Sequence, residues 1–152
     1  MMTETTTTPQ PIIPGLVGIY EPLKPYAYPL MRFVVGAWMI PHGYPKLTTG
    51  TQATAGFFTK LGLEPAVPLV LLVGTVEAIG GLLIAIGLLT RPVAAMAAVL
   101  MAVAAFKVHL PNGFGWTSGG FEHLLMWCVL MLVICIKGGG AISVDRRIGK
   151  EF

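Results

Sequence analysis

The chain has 152 residues, 55% of them hydrophobic and 11% charged. That length allows one domain, and a mean hydropathy of +0.76 lies outside the range of ordinary soluble domains. The formal net charge of +3 does not indicate nucleic acid, because the basic residues flank apolar runs and form no patch interleaved with aromatics.

The opening "MMTETTTTPQ" lacks the basic start and apolar run of a secretory signal, so residues 1–10 are expected to form a disordered tail. Residues 11–29 hold five prolines and three tyrosines, which suits an irregular segment at headgroup level. This divides the chain into an N-terminal disordered or interfacial segment, 1–26, and a membrane domain, 27–152. Four apolar stretches follow, at 27–44, 66–89, 92–110 and 121–136. Each is close to the roughly 20 residues a helix needs to cross a bilayer core. Pro41, followed by "HGYPKL", is expected to kink or unwind the end of the first helix. Between the first two stretches, Phe57, Phe58, Leu61 and Leu63 predict a short interfacial helix. Pro68 and Pro92 fit first turns, where a missing N–H is harmless, and only Thr90-Arg91 separates the second and third spans. Cys128 and Cys135 would share a helix face about 10 Å apart in rise, too far for a disulfide, so they read as packing residues. The predicted fold class is all-α, an integral membrane four-helix bundle. Lys24, Arg91, Lys137, Arg146, Arg147 and Lys150 fall on one side and Lys46 and Lys60 on the other, which predicts both termini in the cytoplasm.

Charges within the spans are informative, because an unpaired Arg, Lys or Glu at a helix centre costs about 2.5–3.5 kcal/mol on insertion scales. Counted from the outer ends, Arg32 and Glu77 both lie roughly 16–18 Å deep and could pair. Such a pair is either a structural tie between helices or a device that gives Glu77 a proton-handling role. Gly74, Gly80, Gly81 and Gly87 on the second helix would let another backbone approach closely.

A second polar layer lies nearer the outer end: His42, Lys46, Lys107, His109, Glu122 and His123, with Trp116 beside them. Three readings stay open. Haem or metal is the weakest, since there is no CxxCH, HxxxH or HExxH spacing, and neither is expected. Interfacial anchoring suits Lys and His near helix ends, with Trp116, Trp127 and Tyr44 as an aromatic belt. A quinone-head or small-molecule pocket would use His and Lys as donors to carbonyl oxygens, Glu77 or Glu122 to handle protons, and Trp116 to stack on the ring. On that reading "FKVHLPNGFGWTSGGFEH" closes the pocket together with His42 and Lys46.

These residues carry a family resemblance. "MRFVVGAWMIPHGYPKL" supplies Arg32, Gly36, His42, Gly43, Lys46 and Leu47, and "VEAIGGLLIAIGLLTRP" supplies Glu77, Gly80, Gly81, Gly87, Thr90 and Arg91. His109, Glu122, Gly138 to Gly140, Ser143 and Asp145 continue the pattern, and over roughly residues 28–147 the chain resembles the DoxX family of small four-helix membrane proteins. The resemblance implies a multi-pass protein of the inner (plasma) membrane. Relatives include the membrane subunit of a thiosulfate:quinone oxidoreductase. The chain would then be a quinone-facing anchor in an oxidoreductase system, with a redox partner subunit or further copies of itself and no complete active site of its own. No cysteine lies near the outer layer, so sulfur chemistry through a protein thiolate is not expected there. The alternatives are a structural or assembly subunit without a ligand, and a small-molecule or proton transporter using Arg32 and Glu77.

Overall fold

The computed structural model describes residues 10–151, which contain helices and no strand. The tail expected over residues 1–10 falls, apart from Gln10, outside the described residues. A single 3-10 turn, Pro14–Leu16, leads into a short helix α1, Val17–Tyr20. Then come α2 (Lys24–Leu47) and α3 (Thr51–Lys60). Next are α4 (Ala66–Ile86) and α5 (Thr90–Asn112), the two described helices long and apolar enough to cross a membrane by length and composition. The chain ends with α6 (Glu122–Lys137) and α7 (Val144–Arg147).

Two expectations about α2 are corrected. Residues 24–29, read as irregular, are helical, because Pro25 lies in the first turn, where no N–H donor is needed. Nor is the helix unwound at Pro41, since it runs on through Pro41 and Pro45 to Leu47. Carbonyls at its end are taken up locally. Thr48 Oγ1 donates to Tyr44 O at 3.0 Å, Thr51 Oγ1 to Lys46 O at 2.7 Å and Gly50 N–H to Pro45 O at 2.8 Å. The predicted short helix before the second span is present as α3, and Ala55 and Phe58 of α3 pack on Ala66 and Val70 at the start of α4.

Glycines seven apart on each helix set the register of α2 on α4. A methyl group at Gly36 would lie 2.5 Å from Gly81 O and Ala85 N, and one at Gly43 would lie 2.6 Å from Gly74 O and would overlap Ala78 N. The two backbones therefore touch over at least two turns, as small residues permit. Gly36→Ala is expected to push the helices apart and lower stability by about 1–3 kcal/mol, read as a drop in melting temperature in mild detergent. On the other side, Ala94, Ala97, Ala98 and Met101 of α5 meet Trp127, Met131 and Ile134 of α6, and Cys128 Sγ donates to Ala98 O at 3.4 Å. Val35 and Met39 of α2 and Val76 and Ile84 of α4 join the same core, so all four long helices share it.

This register separates Arg32 from Glu77. Gly43 and Lys46 lie beside Glu77, whereas Arg32 lies beside Ala85 and Gly87. Arg32 and Lys46 are 14 positions apart on α2, about 21 Å along the axis. The expected pair assumed that α2 and α4 end at the same outer level. Instead the first turns of α4 rise past Leu47, which packs on Gly74, and rest on α3.

Candidate functional site

Arg32, 3% exposed, forms a latch at one end of the molecule. Its guanidinium donates to Gly139 O, to Ile142 O at 2.9 Å and to Ala85 O at 3.3 Å, so it joins α2, the end of α4 and the chain leaving α6. Gly87 (φ 73°) is needed there, because a Cβ would lie 2.6 Å from the guanidinium. Asp145 completes the latch by accepting Leu89 N–H at 2.8 Å, Thr90 N–H at 3.0 Å and Thr90 Oγ1–H at 2.7 Å, which caps the start of α5.

The opposite end holds a cavity of about 100 Å³ lined by Met39 and His42 of α2, Glu77 of α4, Leu100, Met101 and Ala104 of α5, and His123, Leu124 and Trp127 of α6. Two π-helical turns lie at its level, Val76–Gly80 carrying Glu77 and Ala104–His109 beginning at Ala104. Such turns are rare and often mark functional positions within helices. Glu77, 7% exposed, takes Lys46 as its partner, and Lys46 Nζ also donates to His42 O at 2.9 Å. His123 Nε2 accepts Trp127 Nε1–H at 2.8 Å, which leaves its ring proton on Nδ1. The cavity thus has apolar walls, one carboxylate with a cation behind it, and two imidazoles.

His42, His123 and Glu77 line this cavity, with Lys46 behind them, but the rest of the predicted outer layer does not. His109 Nδ1 donates to Gly119 O at 2.7 Å, and Glu122 accepts Trp116 N–H at 3.1 Å. Both groups therefore hold the 113–122 loop. Lys107 and the Trp116 side chain are exposed. The lining includes no residue between 105 and 122. Trp127, read as an interfacial anchor, is buried at 7% exposure. Its spacing of four from His123 on one helix was a signal available in the sequence. Met39, Leu100, Met101, Ala104 and Leu124 gave no comparable signal, since an apolar cavity wall has the same residue types as an ordinary core. No group of three or more His, Cys, Asp or Glu suited to a metal occurs among the described residues.

Chemically, the lining combines apolar walls with one carboxylate and two imidazoles in a space of about 100 Å³. It is well below the roughly 300–1,000 Å³ of a site that encloses a drug-sized molecule.

A family model described as DoxX matches residues 28–110. An uncharacterized protein of Haemophilus influenzae is 31% identical over 134 residues, spanning 86% of this chain and 97% of its own length. The inner membrane protein YqjF of Escherichia coli is 32% identical over 122 residues, 80% of this chain and 91% of its own. A Bacillus subtilis protein provisionally named as an oxidoreductase, CatD, is 30% identical over 121 residues, 80% of this chain and 86% of its own. No solved structure gives a significant match.

Proposed function

This chain belongs to the DoxX family of membrane proteins, and from that premise we propose that it is the quinone-facing membrane subunit of an oxidoreductase system. It lies in the inner membrane as a four-helix bundle with both termini in the cytoplasm. What supports the topology is the core shared by α2, α4, α5 and α6, together with the six basic residues assigned to the Arg32 end.

The observation that carries the quinone reading is the cavity beside Glu77, bounded by two π-helical turns. A quinone ring supplies a two-electron couple that takes up two protons on reduction. Met39, Leu100, Met101 and Leu124 offer apolar walls to such a ring. Glu77 would pass a proton to the ring oxygen, and Lys46 holds the carboxylate in place and would supply that proton. His42 and His123 line the same space and would donate hydrogen bonds to the second oxygen. Electrons come from a partner subunit, and the redox reading itself is in keeping with the oxidoreductase in the name of the Bacillus relative.

Organic extraction and mass spectrometry of protein purified in mild detergent test this reading. The parent is expected to retain close to one quinone per chain. Ala104→Leu, which fills the cavity, is expected to lower retention at least about tenfold, whereas Lys107→Ala with His109→Ala in the loop leaves it unchanged. Failure of the parent to retain a quinone would favour a structural or assembly subunit, in which the Arg32 latch is the essential feature.

A further inference from the structure

The Arg32 end carries a second cavity of about 330 Å³, larger and more polar than the first. Lys137, Arg146 and Lys150 line it, together with the carboxylates of Asp145 and Glu151. Both carboxylates have partners outside the lining. Asp145 holds Leu89 and Thr90 through both of its oxygens, and Glu151 Oε1 lies 3.5 Å from Arg91 Nε. The three cations have no carboxylate partner among the described residues. Lys137 Nζ instead lies 5.2 Å from the centre of the Tyr28 ring. Gly140 (φ 73°) and Gly149 (φ 67°) let the chain curve around the space. Within four residues of these cations in the chain, Ile136, Ile142 and Ile148 are 76%, 43% and 52% exposed. The segment that carries the cations thus also carries exposed apolar side chains.

We propose that this cavity binds the phosphate of an anionic glycerophospholipid, with the acyl chains lying along the isoleucines. A phosphodiester needs several charge-assisted donors. Arg146 offers a planar fork and the two lysines offer point charges, an arrangement suited to phosphate. Basic pockets at helix ends on the cytoplasmic side recognise lipid headgroups in this way. A free phosphate would use the same three donors but would gain nothing from the apolar border.

The test is native mass spectrometry of delipidated protein titrated with phosphatidylglycerol or phosphatidylcholine. The parent is expected to take up one phosphatidylglycerol in preference to phosphatidylcholine. Lys137→Ala, Arg146→Ala and Lys150→Ala together are expected to weaken that uptake at least about tenfold. A control with Lys24→Ala, Lys60→Ala and Arg147→Ala, which removes the same charge elsewhere, is expected to bind as the parent does. Equal weakening in the control, or no preference between the two lipids, would overturn the proposal. Saturation by inorganic phosphate that phosphatidylglycerol cannot displace would overturn the lipid assignment. If the triple variant does not fold, Arg146→Gln alone is expected to weaken uptake and Lys137→Arg with Lys150→Arg to preserve it. Uptake unchanged by Arg146→Gln would count against the site.

Discussion

Replacing Arg32 with alanine is expected to lower stability by about 3–5 kcal/mol, enough to deplete folded protein from the membrane. The loss comes from three carbonyls at once, Ala85, Gly139 and Ile142, which a buried site leaves with no water to turn to. Arg32→Lys is expected to recover little, because an ammonium cannot span three acceptors on separate segments as a guanidinium does. Unfolding titrations in mixed detergent micelles would read both variants, and an Arg32→Ala protein as stable as the parent would refute the latch. Acid should loosen the same end. Burial alone would raise the Asp145 carboxyl, but hydrogen bonds from the Thr90 hydroxyl and from Thr90 and Leu89 N–H, with the charge of Arg32, outweigh it and hold the group below the usual carboxylate range. With a folded value below the unfolded one, Asp145 stabilises the protein above the unfolded value of about 4. That contribution is lost as pH falls through the folded value. Asp145→Asn should therefore be less stable at neutral pH and show less of this acid dependence.

Element existence was legible in the sequence because it depends on local composition. The apolar runs at 66–89 and 92–110 correspond to α4 and α5 almost residue for residue. Element ends were less legible. Pro25 and Pro29 looked like breakers, yet one lies in the first turn of α2 and the other within a helix that packing holds together. Register was misread for a more instructive reason. Counting from the ends of the apolar runs put Arg32 opposite Glu77, but where two helices meet depends on which positions allow close approach. Gly36 and Gly43 facing Gly81 and Gly74 place Glu77 against Lys46. Those glycines were visible, and reading them as pairs seven apart on both helices would have given the right alignment. In the outer layer, sequence proximity grouped Lys107, His109 and Glu122 with the site. His109 and Glu122 direct their hydrogen bonds to the loop and Lys107 is exposed, which residue type alone does not reveal.

Glu77→Gln separates binding from proton transfer at the proposed quinone site. Glutamine keeps the volume of the side chain and a carbonyl acceptor for Lys46, so the cavity and the quinone it retains should change little. What it lacks is a carboxylate that can take up a proton and pass it on. With dithionite as electron donor and quinone-loaded protein, stopped-flow absorbance should show reduction slowed about 10²–10⁴-fold. Reduction requires two protons as well as two electrons, and the Lys46–Glu77 pair would pass one of them from the Lys46 ammonium through the Glu77 carboxylate, the lining carboxylate of this cavity, with the second taken from solvent. Glu77→Asp retracts the acid by one methylene and should fall between the parent and Glu77→Gln, as expected if distance to the ring oxygen sets the rate. A Glu77→Gln protein that retains quinone and reduces it within about twofold of the parent would assign the proton to another donor. His123 would be the next group to replace, because its Nε2 is held by Trp127 and its proton sits on Nδ1.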